Sequence, residues 1–368
     1  MATSYLGRVV RAVGSATLLM ALTLPWAQAQ PTIQPVGGVW ESSAGFEFKK
    51  KEGATRRSVS GIACNLSTTK ERVCLVAFDE GVEARYATLG AGSMLAHKEV
   101  VALRADTGEL DAEGAATDGT YFYVTGSHSA KRSDCKSNAD SRRVVRFRVD
   151  PATGRGARVP PGAPNAALAG YADTDRLWAI LQTLPELKGH VGDGKCLGSD
   201  PPAAPRLAGQ QGVNIEGLAV KAGRLYFGFR GPALDGAGLV LAVDTEALFG
   251  GGDPRPTVTR IALGEGRGLR DMVAVEDGFL LLAGPDDSAS NQNLGWTVLW
   301  WDGRGGPRTV QAKMLAALDV SQVRLRACDR EIKPEAITVI AQRQSSYQVL
   351  ILSDGMCDGG PLEFQIPR

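Results

Sequence analysis

The segment Asn214-Ile215-Glu216-Gly217-Leu218-Ala219-Val220-Lys221-Ala222-Gly223-Arg224-Leu225-Tyr226-Phe227-Gly228-Phe229-Arg230-Gly231-Pro232 contains two β-prone runs joined by the turn pair Ala222-Gly223. Two such runs across a glycine-containing break signal a β-hairpin. A small residue opens the first run, an acid stands just before it, and a Gly-Pro break ends the second. Apolar runs with a similar opening recur along the chain at Gly61-Ile62-Ala63, Glu113-Gly114-Ala115-Ala116, Ala166-Ala167-Leu168-Ala169, Asp271-Met272-Val273-Ala274 and Glu335-Ala336-Ile337-Thr338, with a leading acid at Glu113, Asp271 and Glu335. Counted at 61, 114, 167, 217, 272 and 336, the starts are spaced 53, 53, 50, 55 and 64 residues apart.

Turns such as Asp118-Gly119 and Asp277-Gly278 follow the starts, and third runs follow in turn, as in Arg143 to Val149, Gly238 to Val243 and Trp296 to Trp301. Four short strands with their turns occupy roughly 40 to 50 residues, the size of a propeller blade. The pattern therefore predicts an all-β chain forming a single β-propeller, with six blades of four antiparallel strands; five or seven blades follow if the third unit, the least regular, with Ala166 where the acid would stand, is not a blade start. Helical solenoids repeat at similar lengths, but 45 glycines and 19 prolines spread through the chain punctuate it too often for them. Ring closure is expected from Gly45 to Lys49 completing the last blade, or from Pro361 to Pro367 completing the first.

Residues 1–29 read as a secretory signal peptide. Arg8 and Arg11 precede an apolar run from Ala12 to Trp26, which ends in Ala27-Gln28-Ala29. That run is shorter than the roughly 20 residues a membrane span requires. The mature chain, 30–368, is expected to be a periplasmic or secreted monomer. Losing two arginines takes the formal charge from +1 to about −1, which gives no basis for a nucleic-acid partner. Six cysteines in an exported chain favour disulfides over metal ligation. Fifteen pairings are possible; the repeat favours Cys64 with Cys74 across one hairpin, Cys135 with Cys196, and Cys328 with Cys357.

In a hairpin, the start of the first strand and the end of the second share an edge. In a propeller the first strand of each blade lines the central channel. Glu113, Glu216, Asp271 and Glu335 are then expected in a partial ring at one mouth, with His128 and Arg230 in facing loops and Arg270 and Lys333 nearby. Carboxylates about 8 Å apart repel by roughly 0.5 kcal/mol per pair in water and about 2 at an effective dielectric of 20. Compensation could come from Arg270 and Lys333, from protonation, from a cationic ligand, or from a divalent cation such as calcium with these four acids as ligands. The same acids could equally accept backbone N–H groups and lock blades together. Asp286-Asp287-Ser288 with Asn291 and Asn293 loosely resembles a calcium loop but reads as solvated. Trp296, Trp300 and Trp301 read as blade packing.

Taken together, the segments Leu110-Asp111-Ala112-Glu113-Gly114 with Val124-Thr125-Gly126-Ser127-His128-Ser129, Asn214 to Ala219 with Phe229-Arg230-Gly231-Pro232, and Leu269-Arg270-Asp271-Met272 with Ala283-Gly284-Pro285 resemble the bacterial domain of unknown function 3616. That family is distantly similar to esterase-like phytase propellers, a relation that implies the fold and no activity. Two functions fit these readings. One is an envelope protein binding a small-molecule, glycan or protein ligand at the acid-lined mouth. The other is a metal-assisted hydrolase of phosphate or other esters, with Arg230 or His128 meeting the anion.

Overall fold

The computed structural model describes residues 1–3, 31–49, 51–104, 108–131, 134–136, 138–160, 167–196, 212–286 and 293–368. The leader expected at 1–29 lies almost wholly outside them. Ala166 does too, as does the stretch from Asp287 to Asn291.

Five hairpins form the inner halves of five sheets. They pair Val59–Leu66 with Arg72–Phe78, Ala112–Thr117 with Tyr121–Gly126, Asn214–Lys221 with Arg224–Gly231, Arg267–Val275 with Gly278–Pro285, and Lys333–Gln342 with Ser346–Asp354. Third strands add to each: Glu83–Leu89, Val144–Asp150, Ala237–Asp244, Trp296–Trp301 and Leu362–Pro367. Blades 1 to 4 have a fourth strand, Met94–Ala102, Ala172–Thr174, Thr257–Ala262 and Lys313–Leu318 respectively. Inner strands neighbour one another in chain order, and the last meets the first, so the ring closes. The described residues form an all-β propeller of five blades, one fewer than the repeat count predicts.

The missing blade is the third unit. The 103 residues between Gly114 and Gly217 are close to two periods and imitate an extra repeat. The described part of that stretch supplies the outer strand of blade 2 and a helix, Arg176–Thr183. Leu177 and Leu181, four residues apart, share one helical face and are buried with Ile215, Phe227 and Leu241 of blade 3. A period of 3.6 cannot pleat as a strand, so the unit covers the rim instead of joining the ring.

Glycines at the inner strands allow the ring to be narrow. A Cβ on Gly61 would lie 2.7 Å from Ala115 N, and one on Gly114 would lie 2.8 Å from Leu218 Cβ. The small residue that marks each repeat is therefore a point of close approach between blades.

The seam between blades 5 and 1 is closed by side chains, without a strand crossing it. Leu362–Pro367 stays in blade 5, and Thr32–Ile33 pairs in parallel with Lys313–Leu318 of blade 4. Gly45 to Phe48 lie across the seam as irregular chain, Phe46 and Phe48 being buried with Trp40 against Phe78 of blade 1 and Leu350 and Leu352 of blade 5. Each such ring contributes about 1.5–3 kcal/mol when fully buried. Asp358, fully buried, accepts the Phe46 N–H at 2.9 Å and both Nε (3.0 Å) and Nη2 (2.6 Å) of Arg56, joining three segments.

Cys64 and Cys74 face each other across the blade 1 hairpin and are bonded, and Cys135 is bonded to Cys196. The third expected pair is corrected: Cys328 and Cys357 are free thiols, close enough for Cys357 Sγ to reach Cys328 O at 3.2 Å. Cys328 is exposed while burial pushes the Cys357 thiol up to about 12, so the two sulfurs occupy unlike environments. Among the described residues no helix is long and apolar enough to cross a membrane.

Candidate functional site

Each inner strand begins with a β-bulge, and the residue left over by the bulge is the one that matters. The ladder skips Ser60, Glu113, Glu216, Arg270 and Glu335. A bulge re-aims the extra side chain out of the regular pleat. Four of the five, Glu113, Glu216, Arg270 and Glu335, line a cavity of about 960 Å³ at the channel mouth. Ser60 instead donates to Ser58 O at 3.1 Å.

The ring thus reads Ser-Glu-Glu-Arg-Glu, and blade 4 differs from the sequence alignment by one residue. Matching Asp271 to the acids by chemistry set the register wrongly. Leu269 pairs as Ile215 does, which places Arg270 at the bulge and Asp271 opposite Leu282.

Asp271 does the work of a blade lock. Only 1% exposed, it accepts Met272 N–H at 2.7 Å and Ile337 N–H, from blade 5, at 2.8 Å. Burial pushes its carboxyl well above the usual range. Hydrogen bonds from the backbone of Ile337, Met272 and Leu218 oppose that rise, and Leu218 belongs to blade 3. One carboxyl therefore ties three consecutive inner strands.

Arg270 supplies the compensation that the clustered acids require. Its Nε lies 3.0 Å from Glu216 Oε2 and its Nη2 bonds Glu335 Oε1. Arg230 Nη1 donates to Glu216 Oε1 at 2.9 Å, as does Asn214 Nδ2 at 3.0 Å. Glu216 and Arg270 are each 4% exposed in their side chains, so this is a buried ion network. Lys333 stands at the rim, 2.7 Å from Glu331 and 3.6 Å from Asp354.

Two expectations are placed elsewhere. His128 is fully buried, with Nδ1 donating to Gly126 O at 2.9 Å, and it is not part of the cavity wall. Burial pushes its pKa down to about 4, against the pull of that hydrogen bond. The acids expected to chelate a cation do not converge. Among the described residues, the one cluster of three ligand groups with atoms within 4.8 Å of one another is Cys328, Asp329 and Cys357, outside the mouth.

On the opposite wall Asp354 stands where the hairpin-edge rule puts the end of a second strand, while Asp79 and Asp111 were not singled out from sequence. Asp79 follows the second strand of blade 1, Asp354 ends that of blade 5, and Asp111 precedes the inner strand of blade 2. All three line the cavity. Burial, then repulsion from Asp354 and Asp111, pushes Asp79 up to about 8. Its Oδ1 is buried without a hydrogen-bond partner. Applying the hairpin-edge rule to the first unit would have found Asp79 and Glu80. Trp296 also lines the cavity, whereas Trp301 is packed among Tyr226 and Phe279 as expected.

Five blades around a channel, with a polar cavity at one mouth, make the described chain a β-propeller. The chain belongs to the family described as protein of unknown function DUF3616, whose model matches residues 62–359. No curated protein matches it. Solved structures similar in fold include a GH43 β-1,3-galactosidase at 11% identity (TM-score 0.43, covering 92% of this chain and 60% of that one). A GH43 endo-arabinanase from Bacillus licheniformis matches at 9% identity (TM-score 0.36, 89% and 96%). An exo-β-1,3-galactanase from Phanerochaete chrysosporium matches at 9% (TM-score 0.42, 90% and 64%). These are glycoside hydrolases, not phytases, and the likeness concerns the fold.

Proposed function

We propose that this is an exported binding protein whose channel mouth takes a hydroxyl-rich organic ligand, a saccharide being the chemistry its wall fits. The observation that carries this reading is the composition of the 960 Å³ cavity, in which one indole, Trp296, stands among carboxylates, guanidiniums and the amides of Asn214 and Asn293. A concave site with a few apolar faces and convergent polar groups is the general form of a small-molecule site. Carboxylates and amides accept hydroxyl protons, guanidiniums donate to hydroxyl oxygens, and an indole face covers the C–H side of a sugar ring.

The test is direct binding of an oligosaccharide panel by calorimetry to wild type and Trp296→Ala. We expect at least one oligosaccharide to bind, and the variant to bind it about tenfold more weakly, a loss of about 1.4 kcal/mol, measured below the melting temperature of the variant, which loses packing against the blade 4 core. Absence of binding across the panel would remove the proposal.

A further inference from the structure

Cys328 and Cys357 keep their thiols while the other four cysteines are paired. The first lies in the irregular stretch between Lys313–Leu318 and Lys333–Gln342, the second in the turn between Ser346–Asp354 and Leu362–Pro367. Blade 5 thus brings together two sulfurs 29 residues apart in sequence, at a place outside the channel mouth. Both sulfurs and an oxygen of Asp329 lie within 4.8 Å of one another.

Asp329 is engaged already and is not a ligand. Its Oδ1 accepts Cys357 N–H at 2.8 Å and Arg326 Nη2 at 2.9 Å, while its Oδ2 accepts Arg326 N–H at 2.7 Å and Nε at 2.9 Å. Arg326 also bonds Cys357 O. Together they hold the backbone that carries one sulfur, as groups outside a metal's ligand set do. The sulfurs themselves are lightly committed: Cys357 Sγ reaches Cys328 O at 3.2 Å, and Cys328 Sγ lies 3.7 Å from Asp329 Oδ1. A thiol is a weak donor, so either contact can give way to a metal–sulfur bond.

The ligand count decides the class of cation. A structural zinc ion takes four protein ligands, and calcium or magnesium takes oxygens. Soft thiolates select copper(I), and a monovalent ion of that kind is satisfied by two of them. Two metal–sulfur bonds of about 2.3 Å, the length found with zinc, span about 4.6 Å end to end, so the two sulfurs can share one ion. The resulting complex carries one negative charge. Arg326 and Arg57, whose Nη1 is 3.3 Å from Cys328 O, supply positive charge beside it. Exposed Cys328 gives an ion its entry, and Cys357, 2% exposed, gives the site a dry inner side.

We propose that Cys328 and Cys357 form a two-thiolate site for a soft monovalent cation of the copper(I) class, with Asp329 as the positioning residue. A coordinating thiol is deprotonated outright. Two S–H bonds break, two metal–sulfur bonds form, two protons leave, and no electron changes hands. The site is separate from the mouth and independent of the saccharide reading.

The experiment uses the purified chain under argon without added reductant. Thiol titration in denaturant should count two thiols per chain. Copper(I), in competition with bicinchoninate, should be held at one equivalent with a near-ultraviolet sulfur-to-metal absorption and release of about two protons, and equimolar zinc should not displace it. Cys328→Ser changes an exposed side chain and should melt as wild type, yet hold copper(I) about a hundredfold more weakly, since one of only two ligands is gone. Cys357→Ser should lose the absorption as well. Equal copper(I) affinity in wild type and Cys328→Ser would overturn the site, as would a chain isolated with Cys328 bonded to Cys357 by mass mapping. Displacement of copper(I) by equimolar zinc would overturn the assignment to a soft monovalent ion.

Discussion

The two halves of the channel mouth treat the same side chains in opposite ways. On the side of blades 3 to 5, Glu216 and Glu335 are drawn onto Arg270, Arg230 and Asn214, and every named charge has a bonded partner within the wall. On the side of blades 1 and 2, Asp79 faces Asp354 and Asp111, keeps one buried oxygen unbonded, and is pushed up to about 8. The first arrangement pairs its charges within the wall, whereas in the second Asp79 stands among other acids and is held protonated. An acid at a propeller mouth is therefore a site only where the ring has failed to neutralise it, and residue type alone does not tell the two apart.

The comparison breaks most readily at Arg270. Arg270→Leu leaves Glu216 and Glu335 buried beside each other, and removing one partner of a buried ion network costs about 3–5 kcal/mol. Urea unfolding should show that loss, while Asp79→Asn, which replaces a carboxyl holding its proton at neutral pH, should change stability by less than about 1 kcal/mol. Similar costs for the two variants would mean that both walls are equally structural.

The pH dependence sharpens the contrast. Asp79, at about 8 when folded against an ordinary 3.8, keeps a proton that the unfolded chain releases, so its contribution to stability falls as pH rises from about 4 to 8. Ser58 lies against it as a hydrogen-bond donor, and Glu80, Asp111 and Asp354 are the charged groups acting on it. His128 runs the other way. Its folded value of about 4 lies below the ordinary 6.5, so its stability contribution is full above 6.5 and is lost as pH falls through 4, with Arg142 the charged neighbour acting on it.

Each slope approaches about 1.4 kcal/mol per pH unit. Between pH 4 and 6.5 the two contributions offset each other. Above 6.5 only that of Asp79 remains. Denaturation of Asp79→Asn across this range should show stability rising from pH 4 to 6.5 and then levelling. In His128→Asn, which keeps a residue tolerant of the φ of 54° at that position, stability should fall with pH throughout. Parallel curves for wild type and both variants would show that neither group titrates as its surroundings imply.

A smaller loss than that of Arg270→Leu is expected at the blade contact that holds both walls in place. Gly114→Ala puts a methyl 2.8 Å from Leu218 Cβ, and overpacking of this kind costs about 1–3 kcal/mol. A melting temperature equal to wild type would mean that blades 2 and 3 can move apart without loss.

Much of this was legible in advance. Hairpin turns, the small residue opening each inner strand, and the acids before Gly114 and Gly217 all read correctly, because pleat and turn chemistry are local. Register in blade 4 was not legible, since Arg270 and Asp271 are adjacent and only the pairing of Leu269 with Ala283 decides which one bulges. His128 was misjudged for a related reason: a polar loop after a strand can turn inward as easily as towards the channel. The blade count failed where a helical insertion had nearly the length of a repeat.

What the sequence determined by itself was the propeller, the two disulfides at Cys64–Cys74 and Cys135–Cys196, and a polar channel mouth. These follow from period, spacing and residue type, which are properties of the chain. Only the tertiary structure decided that the ring has five blades, that Asp271 locks strands while Arg270 neutralises acids, and that Asp79 and Asn214 keep unmatched oxygens in the cavity. Those depend on which residues from distant blades meet, and burial sets the cost of leaving a charge or an acceptor without a partner.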